Sequence, residues 1–333
     1  MARNHAVRDR KDCWALLLAA GDGRRLIELT TTRKGLTVPK QFCSLRRGPS
    51  LLQSALRRAA ALTSSDRICA VVAADHRKWW NEQLESLPAE NIFIQPRNRG
   101  TANGILFPLL NILQRDPDAR ILLLPSDHHV RDEDTLAESI SVAVTRSQPL
   151  APGIVLMGLQ PRNPDPELGY IVPGPDRGGG YREVEQFVEK PPAPVARQLI
   201  DRGALWNAFI IAADAPALLK LFERRSPDIV MALSEIISAP ANDLSRRQRL
   251  FELYEALPTR DFSRQILPGH EPHLRVLPVP ECGWSDLGTP RRVAEVLREL
   301  EDDRTPLRSH GSGQARYLSL AAQHERVHRG FSL

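Results

Sequence analysis

Between Trp14 and Phe42 the chain reads WALLLAAGDGRRLIELTTTRKGLTVPKQF, an apolar run, a glycine-rich turn with two arginines, and then a proline-lysine pair. Gly21 and Gly23 let a backbone come close to a phosphate where a side chain would clash. Backbone N–H groups with Arg25 and Lys40 can meet the negative charge. That combination suits a nucleoside triphosphate. Two common phosphate motifs do not fit: a dinucleotide fingerprint needs a third glycine where Leu26 stands, and a P-loop needs Gly-Lys-Ser/Thr to close the turn.

What remains, G-x-G-x-R-L followed by P-K-Q-F, resembles the signature of the sugar-1-phosphate nucleotidylyltransferases, and the PKQF ending is most similar to that of their mannose-1-phosphate guanylyltransferase branch. Further segments resemble the same family in order along the chain. QPRNRGTANGI (95–105) is similar to E-P-x-x-R-N-T-A-P-A-I, and LLLPSDH (122–128) to a strand ending in Asp-His. LGYI (168–171), VEQFVEKP (184–191), Trp206-Asn207 and WSDLGT (284–289) are similar to G-Y-G-Y-I, V-x-x-F-x-E-K-P, W-N-S-G and W-x-D-x-G. The likeness spans roughly residues 12 to 290, with departures at Glu28, Gln95, Gly100, Asn103, Gly104, Leu168 and Ala208-Phe209.

The resemblance implies roles residue by residue. Gly21, Gly23 and Arg25 hold the triphosphate, and Lys40 lies near the phosphate under attack; together with Asp127, Arg25 and Lys40 form the implied catalytic set. Arg99, Thr101 and Ala102 lie in the base segment. Gly169, Glu189, Lys190 and Asn207 serve the sugar phosphate, with Lys190 on the phosphate and Glu189 and Asn207 on hydroxyls. Asp127 and Asp286 are the implied ligands of one Mg2+, a hard cation that prefers oxygen donors and keeps several waters.

Taken alone, most of these residues also admit plainer roles. Asp127 could cap the next turn, Asp286 could be a hydrogen-bonded turn residue, Glu189-Lys190 could be a surface pair closing a strand, and Thr101 could be a helix N-cap. His128 and His129 beside Asp127 suggest a transition-metal site only weakly, because neighbouring strand residues point to opposite faces. His128 is expected to be oriented by the core.

The elements that must position these residues alternate. Trp14–Ala19 is a continuous apolar run, 50–62 has helical spacing, 68–74 is strand-like, a helix begins after Thr101, and 120–124 is the next apolar strand. The expected fold is an α/β, Rossmann-like doubly wound mixed sheet with ligands outside the carboxyl ends of the strands, and the resemblance implies that it is of the nucleotide-diphospho-sugar transferase type. Strands at 153–159, 169–173 and 182–189 without long helices between them read as a sheet extension walling the sugar side. Helices are expected at 193–202, 216–224, 227–237 and 291–300, and a polar linker at 301–313. The expected organisation is a catalytic domain over 12–290 followed by a C-terminal helix and tail over 291–333.

At 333 residues and 42% hydrophobic the chain can bury a substantial core. No apolar run approaches the roughly 20 residues of a membrane span, and the charged first twelve residues are unlike a signal peptide, so a cytoplasmic protein without a membrane partner is expected. The net charge of +5 permits an acidic partner, but the arginines are scattered rather than gathered in a stripe, which argues against nucleic acid. Four separated cysteines without a C-x-x-C pair read as core or loop thiols. The sequence leaves a homo-oligomer open.

The expected activity is magnesium-dependent transfer of a nucleoside monophosphoryl group from an NTP, GTP by the resemblance, to a hexose 1-phosphate, mannose 1-phosphate by the resemblance. The alternatives are a catalytically silent relative that binds nucleotide sugar and a glycosyltransferase of similar architecture. The latter would want a D-x-D motif, which PSDHH is not.

Overall fold

The computed structural model describes residues 13–32, 34–46, 48–146, 153–177, 180–240, 244–302 and 331–332. Its strands, in chain order, are β1 (Cys13–Ala19), β2 (Ser44–Leu45), β3 (Ile68–Ala73), β4 (Ile92–Gln95), β5 (Arg120–Pro125), β6 (Ile154–Leu159), β7 (Gly169–Asp176), β8 (Arg182–Glu189), β9 (Leu205–Asp214), β10 (Arg275–Val279) and β11 (Phe331–Ser332). Nine of them form one sheet in the order β4-β3-β1-β5-β9-β6-β10-β8-β7. β4, β3, β1 and β5 run parallel; β9 enters antiparallel between β5 and β6.

β1 is apolar throughout because both faces of the sheet are covered. Ala15, Leu17 and Ala19 pack in one cluster with the helix Leu51–Ala60 and with Leu136 and Ile140 of the helix Glu133–Arg146. Trp14 and Leu16 face the other way, onto the helices Gly100–Arg115, Ala215–Arg225 and Pro227–Ser238. Ser50 opens the first of these helices with a capping box, its hydroxyl accepting from the Gln53 N–H while the Gln53 side chain accepts from the Ser50 N–H.

Parallel strands deliver their ends to one edge. Ala19 leads into the glycine loop, Pro125 into Asp127 and Gln95 into the Gly100 helix. β9 starts at that same edge, since Ile211 of β9 is opposite Leu123 of β5, and this brings Asn207 there. Tyr170 of β7 pairs with Trp206, and Gly169 pairs with Glu189 of β8. The antiparallel additions thus form the side wall expected from the second half of the sequence.

The helix Pro290–Asp302 places Val293, Val296 and Leu297 in the same cluster as β1. The linker expected at 301–313 and the tail beyond it lie outside the described residues, apart from the end of that helix and β11, which pairs antiparallel with β2. The four cysteines are buried and unbridged, and burial pushes the Cys43 and Cys69 thiols up to about 12. Among the described residues no helix is long and apolar enough to cross a membrane.

Candidate active site

At the carboxyl edge of the parallel strands lies a cavity of about 390 Å³. Of the residues singled out in the sequence, Gly21, Arg25, Thr101, Asp127, Gly169, Glu189, Lys190, Asn207 and Asp286 line it. Lys40, Gly23, Arg99 and Ala102 stand behind these.

The glycine loop is tied down from the PKQF turn. The Gln41 amide donates to the carbonyls of Ala19 (3.0 Å) and Gly21 (2.9 Å), while Gly23 packs against the backbone of Lys40. At Gly21 the space a side chain would take is open, which leaves room for a phosphate. Arg25 reaches across the mouth to Glu167 at 2.6 Å.

Lys40 is buried, 5% exposed, and its ammonium is the hub of the site. Nζ lies 2.8 Å from Asp127 Oδ2 and donates to the Asp286 carbonyl at 2.6 Å. Burial alone would raise the Asp127 carboxyl, but the adjacent Lys40 ammonium, with His128, outweighs it and holds the group below the ordinary aspartate range. Asp286 is oriented from behind. Its Oδ1 accepts from the Gly288 N–H at 3.0 Å and pairs with the guanidinium of the buried Arg292, which also reaches Asp165 at 3.3 Å.

His128 is set by Trp284, whose indole N–H donates to His128 Nδ1 at 3.2 Å, so the neutral ring carries its proton on Nε2, which faces Asp127 Oδ1 at 3.6 Å. Burial pushes the imidazole down to about 4. His129 pairs through its backbone with Ser285, joining the Asp127 and Asp286 segments. Among the described residues no group of three or more His, Cys, Asp or Glu side chains converges as a metal cage. The donors at hand are two carboxylates, each with one oxygen engaged by a cation.

Where the sequence suggests the base, Gly100 and Thr101 at the start of the Gly100–Arg115 helix line the cavity. Arg99 is turned away: its guanidinium donates to the carbonyls of Tyr254 (2.6 Å) and Glu255 (2.7 Å), at the end of the helix Leu244–Ala256. The Ala102 N–H is donated to the Arg260 carbonyl at 3.0 Å, and Thr101 Oγ1 accepts from the Phe262 N–H at 2.8 Å. The helix starts at Gly100 with Arg99 at the N-cap, so Thr101 is not the cap. Gly100 has φ of +84°, and a Cβ there would overlap the Arg260 carbonyl oxygen. That contact accounts for glycine at this position. Gln95 is fully buried, donates to the Tyr254 hydroxyl at 3.3 Å and leaves Oε1 without a partner beside the cavity.

Where the sequence suggests the sugar phosphate, Lys190 follows β8 with φ of +51°, its N–H on the Leu168 carbonyl and its Nζ 3.9 Å from Glu189. Gly169 gives Glu189 its place, since a side chain there would meet the carboxylate. Burial, reinforced by the charge of Asp261, pushes the Glu189 carboxyl up to about 7 against the opposing Lys190 and Arg264. Asn207 is buried and accepts from the Phe209 N–H at 3.1 Å. Sequence reasoning missed four groups: Arg292, Asp165, Glu167 and the wall formed by Thr259, Asp261 and Ser263. Arg292 lies in an amphipathic helix among charges that read as a solvated face, and the other three groups carry no motif.

Residues 14–303 match the Nucleotidyl transferase family, and the chain belongs to it. Among its relatives, the Xanthan biosynthesis protein XanB of Xanthomonas campestris pv. campestris is 28% identical over 86% of this chain and 60% of its own length. The mannose-1-phosphate guanylyltransferase of Salmonella montevideo is 30% identical over 84% of this chain and 59% of its own. The chain thus spans about three-fifths of the length of these curated relatives. A Thermus thermophilus structure titled mannose-1-phosphate geranyltransferase superposes with a TM-score of 0.74 at 28% identity, covering 86% of this chain and 79% of that one. A UDP-glucose pyrophosphorylase complexed with UDP-glucose, at 13% identity and a TM-score of 0.55, shares the fold.

Proposed function

We propose that this chain joins a nucleoside triphosphate to a hexose 1-phosphate, releasing pyrophosphate and a nucleotide sugar, with GTP and mannose 1-phosphate as its preferred pair. The observation that carries this reading is the set of cations at one cavity: Arg25 at the glycine loop and Lys190 after β8 line it, and the buried Lys40 stands behind it on Asp127. Two anions must meet for such a reaction, and fixed positive charge with in-line positioning is most of what catalysis requires.

An oxygen of the sugar phosphate attacks the α-phosphorus, a new P–O bond forms, and the α–β bridging bond breaks with its electron pair leaving on pyrophosphate. No covalent enzyme intermediate is needed. Lys40 offsets charge that moves onto the leaving phosphates, and the backbone beside Gly21 approaches the triphosphate. Lys190 fixes the attacking phosphate while Glu189 and Asn207 orient the ring.

Asp127 and Asp286 fit a magnesium ion as its protein ligands. Both are hard oxygen donors beside one cavity, each has one oxygen engaged by a cation, and the two carboxylates would hold the ion. When bound, the ion supplies Lewis-acid neutralisation of the phosphates.

Preference for guanine is supported by the PKQF and RNRGTA segments and by the guanylyltransferase relatives. Competition among equal GTP, ATP, CTP and UTP, repeated with several sugar 1-phosphates and read by product mass, tests both choices. A product pool dominated by another base or another sugar refutes that part of the assignment.

A further inference from the structure

The segment between the helix Leu244–Ala256 and the short helix Phe262–Gln265 belongs to no recognised motif, yet it closes one side of the cavity. The segment lines the cavity with Thr259 and Asp261, joined by Ser263 from the first turn of the short helix. Its intervening residues pin it. The Arg260 N–H donates to the Arg99 carbonyl and the Arg260 carbonyl accepts from Ala102, both at 3.0 Å. Phe262 is fully buried against Phe209 and Phe222, with ring centroids 6.0 and 5.7 Å away. The wall is therefore tied both to the start of the Gly100–Arg115 helix and to the aromatic core, with three residues that carry polar side chains lining the cavity.

Two of those side chains are chemically open. Ser263 is 2% exposed, and its hydroxyl has no hydrogen-bond partner. Buried hydroxyls are ordinarily satisfied, so an orphan beside a cavity marks a place where a ligand completes the bond. Asp261 spends Oδ1 on the Arg264 N–H at 2.9 Å, which caps the short helix. Asp261 lines the same cavity as Glu189, near enough for its charge to act on that carboxyl.

We propose that Asp261 and Ser263 are sugar-binding residues of this chain, contacting hydroxyl groups of the sugar phosphate opposite Glu189 and Asn207. The inference rests on the reading of this end of the cavity as the sugar phosphate's. A hydroxyl both donates and accepts, and the pair of carboxyl groups serves both needs. Asp261 offers a carboxylate oxygen as acceptor, while Glu189, whose carboxyl the burial and the Asp261 charge push up to about 7, keeps its proton in part and donates. The charged groups acting on Glu189 are Asp261, Lys190 and Arg264. Relief of the Ser263 orphan on binding gives the site affinity for a hydroxylated ring that an unsubstituted phosphate lacks.

The test uses Asp261→Asn and Ser263→Ala in the full chain. Asparagine keeps the helix cap, and alanine removes a hydroxyl that bonds nothing, so melting temperatures should stay within about 2 °C of the parent. With the triphosphate saturating, KM for mannose 1-phosphate should rise about tenfold in Asp261→Asn and at least about threefold in Ser263→Ala, while KM for GTP stays within about twofold, the loss expected for one hydrogen bond to ligand. The acid-to-base limb of kcat/KM for the sugar phosphate should move to lower pH in Asp261→Asn, because a negative neighbour of Glu189 is gone. An unchanged sugar-phosphate KM in either variant, or an equal rise for both substrates, overturns the proposal. Calorimetric titration of mannose 1-phosphate into parent and variants decides the wall independently of turnover. A parent that binds the sugar phosphate but releases no pyrophosphate counts against the catalytic reading and not against the wall, whereas variants that bind it as tightly as the parent sink the wall alone.

Discussion

Gly100→Ala should be among the most damaging single-methyl additions in the protein. The backbone there has φ of +84°, and the new Cβ would overlap the Arg260 carbonyl oxygen, which cannot swing away as a side-chain tip could. Relief requires the Thr259–Ser263 wall to move. That movement puts at risk three bonds: Ala102 N–H to Arg260 at 3.0 Å, Arg260 N–H to Arg99 at 3.0 Å and Phe262 N–H to Thr101 at 2.8 Å. At about 1 kcal/mol net for each bond, plus about 1 kcal/mol for an alanine held at positive φ, the cost is about 4 kcal/mol. For a domain of this size that lowers the melting temperature by about 6 °C. Differential scanning calorimetry reads it directly. Gly100→Asn separates the causes, because asparagine tolerates positive φ but carries the same Cβ; it should still lose about 3 kcal/mol. Gly21→Ala is the control, with open space around its Cβ and an expected shift within about 2 °C. A Gly100→Ala protein that melts within about 2 °C of the parent would refute the account of this wall.

Three further outcomes follow from the buried charges. Lys40→Met removes the cation from Asp127 and the donor from the Asp286 carbonyl, so kcat should fall by a factor on the order of 10² or more in steady-state assays, and Lys40→Arg should not restore it. Glu189 has its folded carboxyl raised from 4.5 to about 7, so its contribution to stability is complete below pH 4.5 and is lost as pH rises to about 7. Denaturant titrations of Glu189→Gln should lack that decline, whose limit is on the order of 3 kcal/mol. Arg292→Met leaves Asp286 and Asp165 buried without their shared cation, which should cost about 3 to 5 kcal/mol, and adding Asp286→Asn should recover part of it in the same unfolding assay.

The strand-loop-strand order around the glycine turn was legible because β1 and β5 are covered on both faces and so are apolar without a break, and because Ser50 and Gln53 write a helix start in their own side chains. The side wall of β7 and β8 was likewise expected. β9, β4 and β10 went unread, as did the helices Glu133–Arg146 and Leu244–Ala256. β9 carries Trp206 and Asn207 within a run buried on both faces, which periodicity cannot assign to helix or strand. Among the residues that line the cavity, those contributed by short motifs were singled out in the sequence. Arg292 and Asp261 were not, because their partners Asp286, Asp165 and Glu189 are brought to them by the fold and no local spacing records the meeting. Arg99 and Ala102 were placed in the base segment by their position in a motif, yet the structure engages the Arg99 guanidinium and the Ala102 N–H in holding the neighbouring chain.

The central claim is tested most directly by following the α-phosphorus. Incubation of the chain with GTP labelled at the α-phosphate, mannose 1-phosphate and Mg2+ should move the label into a nucleotide sugar with one pyrophosphate released for each product formed. Asp127→Asn, which keeps the shape of the side chain and removes its charge, should lower that rate by orders of magnitude. Label that stays in GTP or appears as GMP without a sugar attached, or an Asp127→Asn protein with near-normal turnover, would contradict the account.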